Sequence, residues 1–134
     1  MHTPDKNTLI VRAERLIRDH FEHLNNGELA DARQQLFSPP GMSAKPVDVY
    51  LHTMREMAPF TVISLELREF EDVRKKRHGP VATTWITVAV NCSLGQRAAD
   101  FFVWWFPTTD QSLIASRPTA WVLEKLKTNG TREP

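Results

Sequence analysis

Little in this chain can staple, anchor or charge it. Cys92 is the sole cysteine in 134 residues, which excludes an internal disulfide and predicts a reducing, cytoplasmic setting. No apolar run approaches the roughly 20 residues that cross a bilayer, so no membrane partner is expected. No basic segment followed by an apolar stretch opens the chain, so no secretory route is expected either. Neither sign of charge is in excess. Lys plus Arg is 17 and Asp plus Glu is 16, and a net charge of +1 gives no global field that would draw nucleic acid. A phosphate-binding glycine loop, a serine-nucleophile elbow and a zinc motif are also missing, so no cofactor and no metal is expected.

What is present is organised in two textures. Apolar residues at 41% and charged residues at 25% are ordinary for one globular domain spanning residues 1–134, with a polar, flexible tail from Thr128 to Pro134. The first third reads as helices. Thr3 is placed to cap the first helix, with Pro4 at its first position and Asp5 in its first turn. The apolar stripe is Leu9, Ile10, Ala13, Leu16, Ile17, Phe21 and Leu24, at spacings of three and four. Gly27 ends it. A second helix is read from Glu28 to Phe37, stopped by Ser38-Pro39-Pro40-Gly41, and a third from Pro46 to Ala58.

After Pro59, β-branched and aromatic residues alternate. Four strands are predicted: Thr61 to about Lys75 with a bulge near Arg68 or Glu69, Val81–Ser93, Arg97–Phe106, and Thr119 to about Lys127. Helices followed by strands give an α+β fold, with the helices packed in a curved antiparallel sheet. The third strand is apolar on both faces: Phe102, Trp104 and Phe106 on one, Phe101, Val103 and Trp105 on the other. One face meets the helices, and the other predicts a homodimer through the sheet that includes Trp104 or Trp105.

Thr3-Pro4-Asp5, the helix after it, Leu24-Asn25-Asn26-Gly27-Glu28-Leu29 and Leu36-Phe37 resemble the opening of ketosteroid isomerases. The whole pattern resembles the nuclear transport factor 2-like superfamily, whose cone-shaped, cystatin-like fold is shared by scytalone dehydratase and SnoaL-type polyketide cyclases. The resemblance implies a pocket inside the cone. It puts His20 where the isomerases carry an oxyanion tyrosine, four residues before Leu24. It sets Phe102 at the late-strand aspartate position, with Asp100 two residues earlier. The base-bearing hairpin has no acidic counterpart in Ser38-Pro39-Pro40-Gly41-Met42, which argues against a standard isomerase.

His20 falls inside the helix stripe, either as a pocket acid/base or as a buried neutral imidazole, the commoner case. Asp100 is either a wall carboxylate of raised pKa paired with His20, as a dyad resembling that of scytalone dehydratase, or a solvated residue near Arg97, the commoner case. The candidate catalytic pair is therefore His20 and Asp100, and the candidate ligand contacts are Leu16, His20, Tyr50, Met54, Phe102 and Trp104. His20 and His23, three apart, form at most a weak metal pair. Arg74-Lys75-Lys76-Arg77-His78 reads as a solvated hairpin tip, since no aromatic residues interleave it for base stacking. Three functions follow as expectations: a dimeric domain binding an apolar or aromatic small molecule in the cone, a cofactor-free isomerase or lyase, or a purely structural dimerisation module.

Overall fold

A computed structural model describes residues 4–130. Its order is α1 (Lys6–Asn25), α2 (Leu29–Gln34), α3 (Lys45–Met57), β1 (Thr61–Lys76), β2 (Gly79–Cys92), β3 (Gly95–Phe106), β4 (Gln111–Ile114) and α4 (Thr119–Gly130). The fold is α+β. The strands form one antiparallel sheet in the order β1-β2-β3-β4, a meander in which every connection is a turn.

Helix α1 starts two residues later than its proline suggests, at Lys6 rather than Pro4. Asp5 is the cap, its carboxylate accepting from Thr8 N–H at 2.8 Å, and Thr3 lies outside the described residues. The predicted stripe is the buried one: Leu9, Ala13, Ile17, Phe21 and Leu24, with His20 among them. Gly27, at φ 73°, makes the left-handed turn after it. Asn25 then ties the helix end to the sheet. Its side-chain oxygen accepts from Phe60 N–H at 2.6 Å and its amide donates to Phe60 C=O at 2.8 Å, so it pairs with the entry to β1 as a neighbouring strand would. Arg33 on α2 forms an ion pair with Asp48 on α3.

The parity of β2 and β3 positions everything else. Ala82, Thr84, Ile86, Val88 and Val90 on β2 are buried together with Phe101, Val103 and Trp105 on β3, and cross-strand register pairs Ala82 with Trp105, Thr84 with Val103 and Ile86 with Phe101. Phe21 meets Phe101 at 5.8 Å and Phe60 at 5.0 Å between ring centroids, so α1 packs on this inner face. The opposite face carries Thr83, Trp85, Thr87, Phe102, Trp104 and Phe106, all half-buried. Strand β1 shifts register three times, one shift skipping Arg68 as its apolar parity predicts.

Two expectations about the C-terminal third are corrected. Thr119 to Lys127 is not a strand but lies in α4. Trp and Val suggested an extended chain, yet Pro118 supports a helix start and accepts from Trp121 N–H at 3.1 Å. Trp121, Val122 and Lys125, at helical spacing, face inward, where Trp121 reaches Phe21 at 6.3 Å. The fourth strand lies instead within the presumed loop, as Gln111–Ile114, too short to show alternation. Its free edge is covered: Phe37 N–H donates to Ile114 C=O and Ile114 N–H donates to Gln35 C=O, each at 2.8 Å. The predicted flexible tail is helical from Thr128 to Gly130, and its remainder, 131–134, lies outside the described residues.

Phe21 is the residue on which the helix and sheet layers converge. Phe21→Ala is expected to cost about 3–5 kcal/mol, measured by urea unfolding. A loss under about 1 kcal/mol, the level of ordinary surface changes, would refute this packing.

Candidate functional site

The residues singled out from sequence are distributed over three places. His20, Tyr50 and Met54 lie inside the helix–sheet interface, all within 2% exposure. Leu16 is half-buried and borders a shallow depression with Arg12, Arg15 and Asp19. Asp100, Phe102 and Trp104 lie on the outward face of the sheet.

His20 points inward, as its helical phase requires, and is fully buried. Its Nε2 lies 2.8 Å from the Tyr50 hydroxyl and its Nδ1 lies 3.0 Å from the side-chain oxygen of Gln35. A neutral ring satisfies both contacts, donating from Nδ1 to Gln35 and accepting from Tyr50 at Nε2. Burial holds the His20 pKa down to about 4, against a raising contribution from the Gln35 bond. Burial likewise pushes the Tyr50 hydroxyl well above its ordinary range. His20, Tyr50 and Met54 line none of the four surface depressions of about 310–500 Å³. The arrangement is a closed polar knot and the commoner reading of His20 applies. Gln35, which completes it, gave no signal in sequence because it sits where α2 unwinds.

Asp100 is exposed and on the wrong side of the sheet for a dyad with His20. It accepts from Thr87 Oγ1 at 2.7 Å, and Arg68 Nε donates to the same hydroxyl at 2.8 Å. The Thr87 bond first, then the Trp85 indole and the Arg68 charge, lower its pKa. The raised-pKa, His-paired carboxylate is thus corrected, because β3 parity sends residue 100 outward with 102 and 104. His20 and His23 also part: His23 turns to Glu28 at 3.0 Å. His23, Glu28 and Asp31 do converge, but the two carboxylates are exposed and His23, half-buried, is already engaged by Glu28 across the α1–α2 turn.

The open spaces lie elsewhere. One groove of about 350 Å³ runs along the outward face between Glu69, Glu71, Thr83, Trp85, Phe102 and Trp104. Trp85 and Phe102 stack across it at 5.5 Å and 22°. Thr83 Oγ1 is buried there without a hydrogen-bond partner, the Trp85 indole N–H is turned toward the Asp100 carboxylate outside ideal hydrogen-bond geometry, and Glu71 Oε1 forms an ion pair with Lys76 Nζ at 2.9 Å. A second cavity, of about 310 Å³, lies on the other side of Trp104 and reaches Phe37, Pro46, Val47, His78 and Arg117. Phe37 packs on Trp104 at 5.2 Å and on His78 at 5.2 Å. A third, apolar groove of about 500 Å³ separates α3 from α4 along Val49, Leu123 and Leu126. Among the described residues no helix is long and apolar enough to cross a membrane.

Set against models of known protein families the chain matches none, and a comparison with curated proteins gives no match either.

The knot around His20 has a pH consequence. Burial holds the folded ring's pKa down to about 4 whereas the unfolded ring keeps its ordinary value of 6.5, so below 6.5 the unfolded chain binds the extra proton. This contribution to stability is complete above pH 6.5 and is lost as pH falls toward 4, amounting to about 3 kcal/mol. His20→Asn is expected to destabilise the fold at pH 7 by about 2–3 kcal/mol, by leaving Tyr50 and Gln35 unpaired, and to flatten that pH slope. Denaturant unfolding between pH 7 and 5 measures both, and an unchanged slope in the variant would assign the pH dependence to other groups.

Proposed function

We propose that the protein is a non-catalytic, homodimeric binding domain of the nuclear transport factor 2-like kind. Its subunits meet through the outward faces of their sheets, and small molecules bind at surface cavities rather than in the concave interior. The observation that carries this reading is the outward face itself. Trp85, Phe102, Trp104 and Phe106 are only half-buried, in one contiguous row. Such a row is costly in water and calls for a surface that covers it.

A second copy fits this face. The carboxylates of Glu66 and Glu71 stand near the cations Arg68 and Lys76, so the face is not repelled by its own image. The net charge of +1 adds little long-range repulsion. The tryptophan involved is Trp104, because Trp105 is turned inward and donates to Asp110 at 2.9 Å.

His20 and Asp100 do not meet in the interior. His20 has both nitrogens engaged at full burial, and Asp100 is across the sheet. An isomerase or lyase built on those two residues has no shared site in which to hold a substrate.

Native mass spectrometry of the purified chain at micromolar concentration is expected to give a dimer. Phe102→Lys, placed at the centre of the row, is expected to weaken dimerisation at least about ten-fold while leaving the far-ultraviolet spectrum unchanged. A wild-type monomer, or a Phe102→Lys dimer of undiminished affinity, would overturn the sheet-face interface.

A further inference from the structure

We infer that the cavity between Phe37, Trp104 and Arg117 is a binding site for a small organic carboxylate with an aromatic or apolar body. This rests on the reading of the chain as a binding domain but not on its being a dimer. The cavity of about 310 Å³ falls at the lower end of the range for ligand pockets, roughly 300–1,000 Å³, which limits the ligand to about one ring and a short arm.

The charge of the site comes from Arg117. It follows Ser116 and precedes Pro118 in the segment joining β4 to α4, and it is half-buried. Among the described residues its guanidinium has no hydrogen bond and no ion pair, although the other half-buried arginine of the sheet, Arg97, is fully engaged with Glu124. Arg117 is close enough to Tyr50 to oppose, by its charge, the rise of that hydroxyl's pKa. No Asp or Glu lines the cavity. A half-buried guanidinium facing an apolar space with no counter-ion is short of an anion, and its planar fork matches a carboxylate with two parallel hydrogen bonds.

The remaining walls suit the body of such a ligand. Phe37 and Trp104 stand 5.2 Å apart with their planes 58° to each other, forming one apolar corner, and Pro39, Met42, Pro46 and Val47 continue it. Ser38, Ser43 and the exposed His78 are the other polar side chains at the rim. The adjoining end of α3 adds a weak field of the same sign, because Ala44 supplies no side-chain cap there. Phosphate esters share the charge but not the need for an apolar wall, so inorganic phosphate serves as the discriminating competitor.

The test is a titration of the full chain with phenylacetate, phenylacetamide and inorganic phosphate, followed by tryptophan fluorescence and by two-dimensional amide spectra. Phenylacetate is expected to saturate, and to bind roughly ten- to hundred-fold more tightly than its uncharged amide, the worth of a charge-assisted pair. Its affinity is expected to fall with added salt. Arg117→Gln should remove most of that difference, and Arg117→Lys should restore part of it. Ala115→Phe, which fills the cavity without touching the charge, should abolish binding of both acid and amide. Equal binding of acid and amide, full affinity in Arg117→Gln, competition by phosphate at equal strength, or no saturable binding would each overturn the proposal. A monomer that binds phenylacetate would refute the interface alone. A dimer that retains only a neutral ligand would refute the carboxylate class alone.

Discussion

The alternation of side chains along β3 is the constraint on which the rest of the molecule depends. A strand with Phe101 through Phe106 apolar at every position cannot turn all of them to one side, because successive residues point to opposite faces. Phe101, Val103 and Trp105 go to the helices and Phe102, Trp104 and Phe106 go outward. The same parity selects the buried face of β2 through register, and the covered edge of β4 follows from its pairing with β3. A one-residue slip would exchange the two sets, setting Trp104 against α1 and Trp105 outside. Trp105 is pinned against that slip by its bond to Asp110, which also holds Arg12 of α1 at 2.8 Å.

With the inner face assigned, the polar knot around His20 becomes a consequence of packing. Phe21 fills the space toward Phe101, Phe60 and Trp121, so the next residue on the stripe must be satisfied locally or leave an uncompensated polar group. Tyr50 and Gln35 do this from two different elements, which fixes α1 relative to α3 and to the end of α2. Burial keeps the imidazole neutral, and a neutral ring protonated on Nδ1 satisfies both contacts. A group so constrained is a poor proton carrier, since protonation would break the Tyr50 donation and place a charge in an apolar interior. The feature that made His20 look functional in sequence, its position within an apolar stripe, is the same feature that closes it off.

The helices, the stripe of α1, the bulge at Arg68 and the two-sided character of β3 were legible because each rests on local periodicity or parity. Inward and outward could not be assigned by the pattern alone, since both faces of β3 are apolar, and Asp100 was consequently open to either placement. The C-terminal third misled for a physical reason. Trp121-Val122-Leu123 has strand-forming composition, and only tertiary burial of Trp121, Val122 and Lys125 reveals the helical period. Strand β4 has four residues and depends on pairing with β3 and on the bridge from Leu36 to Ile114, neither of which local sequence encodes. Arg117 was invisible for the same cause: in a Ser-Arg-Pro connection nothing periodic marks a residue whose significance is the space in front of it.

The two outward cavities are linked by construction. Trp104 is a wall of both, and its ring position is set from below by β3 and from the side by Phe37. Phe37 in turn is held by its N–H bond to Ile114, so the aromatic corner is built on backbone hydrogen bonds between β4 and residues 35–37 rather than on a free loop. Sites supported in this way keep their geometry at small entropic cost when a partner arrives, because little remains to be ordered. The interior achieves rigidity by being filled, and the outward face inherits that rigidity through the strands they share. On the proposed function, the recognition of another molecule by shape and charge falls to the face that the same strands turn to the outside, because the interior around His20 is filled.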